Sequence, residues 1–366
     1  MMDAGDLAYI EMAYGLAETA RGWTSPNPCV GAVVVNNGRV VGTGFHERPG
    51  KPHAEIVALV RAGARSRGAT LYLTLEPCVH WGRTPPCIDT VLQAGLRRVV
   101  VSALDPNPLV DGRGVRRLRR AGIEVSVGLL EERNRRLNEA YIKYIPDKTP
   151  FVTLKAAAGL DGKIACRGGD SRWISSPASR AYAHLLRGEA DAVLVGIGTV
   201  LRDDPRLTVR HPAWKAKAVA RVVLDARLRF PPGARMLRTP ARGPVWILTA
   251  PDPPAAKRKA LELAGAEIVP LPCRGDRVDL PRALAALGRR EVSHCLVEGG
   301  GRVHGAFLDA RLADKIVLFF APKVIGGAEA ISLHAGAGAD SVRTALRLRS
   351  LRSFPVGPDI VMEGYF

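Results

Sequence analysis

The chain opens with two alternating patterns. Short, solid apolar runs are bounded by turn residues, as in strands buried on both faces. Between them, apolar residues recur at three- and four-residue intervals, the spacing of a helix with one buried face. On this reading residues 6–21 form an amphipathic helix and Cys29 to Val35 a strand; Arg39 to Phe45 returns from a hairpin turn at Asn36-Asn37-Gly38. A helix from Ile56 to Ala64 follows, then a strand from Thr70 to Leu75 and a helix from Cys87. A strand from Arg98 to Ala103, a helix over 114–121 and a strand from Ile123 to Gly128 complete the series. The alternation predicts an α/β sandwich around a mixed sheet.

Pro146-Asp147-Lys148-Thr149-Pro150 interrupts the pattern. Two prolines with polar residues between them favour a linker over either regular element. The reading therefore divides the chain into domains at 1–146 and 150–366. Strands are then expected at 151–157, 191–196, 221–225, 244–249, 267–271, 294–298 and 315–321. Helices fall between them, for example Pro177 to Arg187 and Ala255 to Ala264, and Leu346 to Phe366 reads as antiparallel strands. The second half is thus a second α/β domain and not an appendage.

Composition narrows the classes. At 366 residues and 47% hydrophobic, the chain can bury two cores. No window approaches the roughly 18 apolar residues of a membrane span. The start Met1-Met2-Asp3-Ala4-Gly5-Asp6 lacks the basic head of a signal peptide, so a cytoplasmic protein is expected. Six cysteines in so long a chain are no disulfide scaffold, and Cys29, Cys166, Cys273 and Cys295 are expected as buried thiols. A net charge of +18 attracts nucleic acid, membrane surfaces or phosphorylated small molecules. The densest basic run, Arg113 to Arg120, interleaves with Val115 and Leu118 and reads as a solvated helix face. Aromatics make up 5% of the chain and form no stacking ladder, which counts against a nucleic-acid groove.

The chemistry concentrates in four residues. His53 and Glu55 flank Ala54, while Cys78 and Cys87 stand nine positions apart around a Gly- and Pro-rich loop. One imidazole and two thiolates hold Zn2+ with its fourth position open, the arrangement of a catalytic site. An acidic residue that is not a ligand is what zinc nucleobase deaminases use to move protons, the role expected of Glu55. Helix residues turn by roughly 100° each, so positions two apart point in nearly opposite directions. His53 and Glu55 therefore serve one metal only at a helix start, which Pro52 supplies, and a second helix start is expected at Cys87. In the second half, Glu298-Gly299-Gly300-Gly301-Arg302-Val303-His304-Gly305 follows a strand, as does Val195-Gly196-Ile197-Gly198-Thr199. Each run is either a tight turn or a backbone cradle for phosphate.

Longer motifs then become familiar. The first half carries Pro26-Asn27-Pro28-Cys29-Val30-Gly31, Gly44-Phe45-His46, and an unbroken Thr74-Leu75-Glu76-Pro77-Cys78-Val79-His80-Trp81-Gly82-Arg83-Thr84-Pro85-Pro86-Cys87. Asp105-Pro106-Asn107-Pro108 follows. The second half carries Leu160-Asp161-Gly162-Lys163, Gly169-Asp170-Ser171-Arg172-Trp173-Ile174 and Asp203-Asp204-Pro205-Arg206-Leu207-Thr208-Val209-Arg210. Over nearly the full length this resembles the bifunctional riboflavin-biosynthesis deaminase–reductases.

The resemblance implies a cytidine-deaminase-like α/β/α sandwich followed by an α/β domain similar to dihydrofolate reductases. It implies zinc-dependent hydrolysis of the 2-amino group of 2,5-diamino-6-ribosylamino-4(3H)-pyrimidinone 5′-phosphate, then reduction of the ribosyl group to ribityl with NADPH. Carried over by motif, His53, Cys78 and Cys87 hold zinc and Glu55 shuttles protons. Asn27, His46, Arg83, Asp105 and Asn107 line the deaminase pocket, with Arg83 suited to a phosphate. Ala157, Trp173, Thr199, Asp203 and Gly300, Gly301, Arg302, Val303, His304, Gly305 and Ala306 match cofactor positions. Lys155, Ser171, Arg187, Leu207, Arg210 and Glu298 match substrate positions, with Arg187 and Arg210 as partners of the sugar phosphate. Trp173 could instead be core and Asp203 an N-cap before Pro205. A homodimer or homotetramer is expected from the family. The competing readings are an RNA-base deaminase with a C-terminal nucleic-acid-binding module, and a zinc-stabilised binding protein without catalysis.

Overall fold

The computed structural model describes residues 4–83, 85–212, 217–239 and 243–366. The chain divides into two compact units, 1–148 and 149–366.

In the first unit the elements run α1 (Ala4–Glu18), β1 (Gly31–Asn36), β2 (Arg39–Phe45), α2 (Ala54–Ala62), β3 (Thr70–Leu73), α3 (Cys87–Gln93), β4 (Arg98–Val101), α4 (Arg113–Arg120), β5 (Glu124–Val127), α5 (Glu131–Leu137) and α6 (Glu139–Asp147). The sheet order is β2-β1-β3-β4-β5. β1 runs antiparallel to β2 and β3, whereas β3, β4 and β5 are parallel, so the sheet is mixed. Alternate strand residues feed two cores. Ala32, Val34, Leu71, Leu73, Val99 and Val101 pack against α2, α3 and α4. Val33, Val35, Tyr72 and Val100 pack on the opposite face against α1. This two-sided burial explains the solid apolar runs.

Two expectations need correction here. The polypeptide does not leave regular structure at Pro146; α6 runs through it to Asp147. A proline in the last turn lacks one N–H but can still sit where the helix is ending. The stop comes two residues later, where Lys148 takes a left-handed conformation (φ 53°) and its N–H closes on Tyr144 O. Nor are all the spare cysteines buried. Cys29 and Cys295 are, but Cys273 is half-buried and Cys166 is exposed, in a turn closed by Gly169 N–H on Cys166 O.

The second unit runs β6 (Phe151–Gly159), β7 (Lys163–Ala165), α7 (Pro177–Glu189), β8 (Ala192–Gly196), α8 (Ile197–Asp203), β9 (Ala220–Leu224), β10 (Val245–Thr249), α9 (Ala255–Leu263), β11 (Ala266–Pro270), β12 (Cys273–Arg274), β13 (Arg277–Val278), α10 (Leu280–Gly288), β14 (His294–Val297), α11 (Gly301–Asp309), β15 (Lys315–Ala321), β16 (Ile331–Ser332), β17 (Ser350–Val356) and β18 (Asp359–Tyr365). Nine strands form one sheet, ordered β11-β10-β9-β8-β14-β6-β15-β18-β17. It is parallel from β11 to β15 and antiparallel over the last two pairings. Again both faces are covered, one by a core containing Leu186, Val193, Val195 and Phe319. The other face carries Leu194, Cys295, Val297 and the apolar side of α10. The order β8-β14-β6 sets three carboxyl ends side by side, the usual place for a ligand crevice in such sheets.

Candidate active sites

In the first unit, α2 is placed by glycine. A Cβ on Gly42 or Gly44 of β2 would run into the carbonyls of Ala58 and Ala54, so the bare strand lets the helix lie directly on it. That close approach presents the helix start. His53 is its N-cap, with extended backbone (φ −73°, ψ 163°), and Glu55 lies in its first turn. Cys87 opens α3. Its N–H donates to Cys78 Sγ at 3.3 Å, and the Ile88 N–H donates to Cys78 O at 3.2 Å. The start of α3 thus grips the second cysteine's loop, and backbone N–H groups of this kind favour thiolate.

His53 Nδ1 lies 3.0 Å from Cys87 Sγ and 3.6 Å from Cys78 Sγ. The ligand atoms of the three residues all fall within 4.8 Å of one another. Cys78 is drawn down to about 4 by its bond with Cys87, against burial, with His53 and the Cys87 N–H assisting. Cys87 is pushed up, by its bond to Cys78 and by burial. Two thiols this close, one buried and one half-buried, cannot both be negative without a cation between them, and an imidazole completes the set. The residues fit Zn2+. Glu55 is 3% exposed, and burial raises its carboxyl above the usual range.

His46 and Asn27 stand beside this cluster. The His46 ring lies edge-on to His53 with centroids 5.1 Å apart. His46 Nδ1 is 3.3 Å from Pro52 O and its Nε2 is 3.0 Å from Asn27 Nδ2. Those partners assign the proton to Nδ1, leaving Nε2 to accept from the amide. Burial lowers the His46 pKa, in keeping with a neutral ring. Arg83 and Trp81 are exposed on the loop between the cysteines, and Thr84 lies outside the described residues. Asp105 is 6% exposed and is raised to about 6, chiefly by burial. Asn107 N–H donates to Asp105 Oδ1 at 2.9 Å, which folds the Asp105-Pro106-Asn107 turn onto its own carboxylate.

Sequence reasoning gave Glu76 no role. Its carboxylate, 3% exposed, accepts from the N–H groups of Asp105 (3.2 Å), Gly112 (2.8 Å) and Val115 (2.9 Å). It ties the run leading to Cys78 to the loop carrying Asp105 and to the start of α4. A glutamate two residues before a ligand was the available signal.

In the second unit the three carboxyl ends carry the matched residues. Lys155 and Ala157 lie on β6, Glu298 follows β14, and Thr199 lies on α8 after β8. The Glu298 N–H donates to Leu194 O at 2.9 Å, extending the strand pairing to that residue. Its carboxylate receives Arg187 Nε at 2.5 Å and Nη2 at 2.8 Å. Burial would raise Glu298, but the Arg187 charge and hydrogen bonds hold it down to about 2, with Lys155 and His184 contributing. The Arg187 fork is therefore committed to Glu298, and Nη1 reaches Thr208 O at 3.2 Å. Arg210 is exposed, yet burial of its head and the charges of Arg187 and Arg206 lower its pKa.

Other positions separate by exposure. Trp173 is 64% exposed and so is not core; Arg180 lies over its ring at 4.5 Å. Asp203 ends α8 and is no N-cap; Arg172 Nη2 donates to its carbonyl at 3.0 Å. Ser171 is half-buried nearby in sequence. Leu207 is 4% exposed, in a left-handed conformation (φ 49°), so its side chain belongs to the core. In the glycine run, Gly300 caps α11, Arg302 is exposed, and Val303 and Ala306 are half-buried. His304 is fully buried with Nε2 3.3 Å from Val297 O. A Cβ at Gly305 would meet the backbone of Ala335 and Gly336, so this glycine lets a second segment close onto the helix.

Residues 4–103 match the cytidine and deoxycytidylate deaminase zinc-binding region, and residues 150–362 match the RibD C-terminal domain. The chain is 46% identical to the riboflavin biosynthesis protein RibD of Aquifex aeolicus, over 98% of this chain and 97% of that one. Acinetobacter baumannii RibD superposes with a TM-score of 0.87 at 34% identity, covering 99% of this chain and 98% of that one. A diaminohydroxyphosphoribosylaminopyrimidine deaminase/5-amino-6-(5-phosphoribosylamino)uracil reductase from Thermotoga maritima does so with a TM-score of 0.86 at 35% identity, with the same coverage. A zinc-binding deaminase region ahead of a RibD reductase domain, with identity running almost end to end, means that this chain belongs to the riboflavin biosynthesis RibD family.

Proposed function

We propose that the chain performs two consecutive steps of riboflavin biosynthesis, deaminating 2,5-diamino-6-ribosylamino-4(3H)-pyrimidinone 5′-phosphate and then reducing the ribosyl group of the product to ribityl. The observation that carries this reading is Glu55, buried beside three convergent ligand atoms yet not one of them. His53, Cys78 and Cys87 would hold Zn2+, which when bound would supply a water acidified to a pKa of about 7. Glu55 would take one proton from the attacking water and pass it to the ring nitrogen, then take the second proton from the added hydroxyl and pass it to the departing amine, so that ammonia leaves as the carbonyl forms. Asn27, His46, Arg83, Asp105 and Asn107 bind and orient the pyrimidine phosphate.

In the second unit NADPH, when bound, would supply the hydride. Ala157, Trp173, Thr199, Asp203 and Gly300 to Ala306 hold the cofactor, the run through backbone N–H groups at the start of α11. Lys155, Ser171, Arg187, Leu207, Arg210 and Glu298 hold the sugar phosphate. Within that set Arg210, crowded by Arg187 and Arg206, is the cation that a phosphate would relieve. Arg187 acts by holding Glu298, and Leu207 by its backbone.

No helix among the described residues is long and apolar enough to cross a membrane. We place the chain in the cytoplasm, a reading supported by six cysteines of which none forms a disulfide. Association into a homodimer or homotetramer is supported by exposed apolar residues on the outer strands, Leu351 and Ile360, and in the segment leading into β17, Leu346 and Leu348. The test is to incubate the purified protein with the diaminopyrimidine phosphate, with and without NADPH. Ammonia should appear in both cases and the ribityl product only with NADPH; absence of ammonia release from zinc-loaded protein would sink the reading.

A further inference from the structure

The two family matches stop at residue 103 and resume at 150, so α5 and α6 belong to neither. Yet this stretch sends three buried polar side chains toward the deaminase loops. Asn134, Asn138 and Tyr141 are 1%, 3% and 7% exposed, and they recur at the four- and three-residue spacing of one helical stripe. Asn134 Nδ2 donates to Thr74 O at 2.5 Å, at the head of the run that reaches Cys78. Asn138 brackets the backbone of Cys29, accepting from its N–H at 2.7 Å and donating to its carbonyl at 3.1 Å. That fixes the loop bearing Asn27. Tyr141 Oη donates to Asp105 Oδ1 at 2.8 Å.

Tyr141 differs from the two asparagines because its partner is a side chain and not a backbone group. Its ring is wedged among Leu75, Ala103, Val30, Ile142 and Ile145, so the hydroxyl has one place to be. Asp105 Oδ1 takes both the tyrosine and the Asn107 N–H. Oδ2 accepts from nothing among the described residues and is not one of the sealed, unpartnered buried atoms. One oxygen is anchored and the other is left for a ligand.

We propose that Tyr141 is a positioning residue of the deaminase, setting the Asp105 carboxylate in the orientation the pyrimidine meets. The inference rests on the reading of Asp105 as a pocket residue. A charge-assisted hydrogen bond to a preset carboxylate improves substrate binding without touching the reacting atoms, so its loss falls on KM and not on kcat.

The test uses the full chain loaded with zinc and measures ammonia release for the parent, Tyr141→Phe, Asp105→Asn and the double variant. Tyr141→Phe should raise KM about tenfold with kcat nearly unchanged, the scale of one lost hydrogen bond to a charged group. Zinc content and NADPH oxidation on deaminated substrate should hold. On the Asp105→Asn background the same substitution should add nothing, because two residues acting through one contact are not additive. A KM that stays put in Tyr141→Phe while Asp105→Asn raises it overturns the inference alone. So does a KM rise of equal size on both backgrounds, or a loss of melting temperature and zinc with KM unmoved. If Asp105→Asn itself leaves KM unchanged, the pocket reading fails and the inference falls with it.

Discussion

Glu298 and Arg187 have side chains only 10% and 14% exposed, so each charge depends on the other. Removing the cation by Arg187→Ala strands a buried carboxylate and should destabilise the second unit by about 3–5 kcal/mol, readable in urea unfolding. The pair also sets a pH dependence. The Glu298 pKa is held at about 2 in the folded chain, against an ordinary value of 4.5. Its contribution is complete above the unfolded value and is lost as pH falls from about 4.5 towards 2, amounting to about 3 kcal/mol over that span. Unfolding of the second unit followed across that window should steepen in the parent relative to Glu298→Gln. At the deaminase, Glu55→Gln keeps the shape of a residue that is not a ligand. It should retain a full zinc equivalent and lose ammonia release by about 10²–10⁴-fold. NADPH oxidation on already deaminated substrate should continue; a parallel fall in both activities would contradict two separate sites.

At the scale of elements, the position of α2 depends on what β2 lacks. Gly44→Val puts branched carbon where the Ala54 carbonyl lies. The helix must shift or the strand must bend, at a cost of about 1–3 kcal/mol. Zinc stoichiometry and ammonia release should drop together while the reductase is spared, and unchanged zinc binding would show that the contact is slack. Most elements around the sites were legible in the sequence because both sheets are covered on both faces, which turns strands such as Val33 to Val35 and Val99 to Val101 into unmistakable apolar runs. The helix starts at His53 and Cys87 were legible for a different reason: the chemistry demanded them. Helices α5 and α6 were not. Glu131-Glu132-Arg133-Asn134-Arg135-Arg136 hides its buried stripe in charge, and the buried positions Asn134, Asn138 and Tyr141 are polar. Periodicity of hydrophobic residues cannot report a stripe whose value lies in hydrogen bonds. The proline at 146 compounded the difficulty by marking a boundary one residue before the helix ends.

For the whole molecule, metal binding and stability should be coupled in the first unit and not in the second. The candidate ligands come from the start of α2, the loop after β3 and the start of α3, so a bound ion would join three segments of the first unit, and among the described residues the second unit has no such cluster. Stripping zinc with a chelator should lower the first unit's unfolding transition and leave the second's in place, because binding free energy is folding free energy where the site forms only in the folded state. Calorimetry with and without chelator checks this, and Cys87→Ser should reproduce the chelated trace. Strand order was beyond the sequence. Nothing in the local pattern says that β14 slots between β8 and β6, since that choice is made by helices packing across the finished sheet.

The position of β18 has a consequence for biosynthesis. It covers β15, which in turn neighbours the Lys155 strand, through pairings such as Lys315 with Tyr365. A nascent reductase half therefore exposes a naked strand edge until β18 has emerged from the ribosome, whereas the zinc-binding half completes its sheet by Val127. At roughly 5–20 residues per second, that leaves an interval of order ten seconds or more in which the first half can already hold its metal while the second remains vulnerable to aggregation.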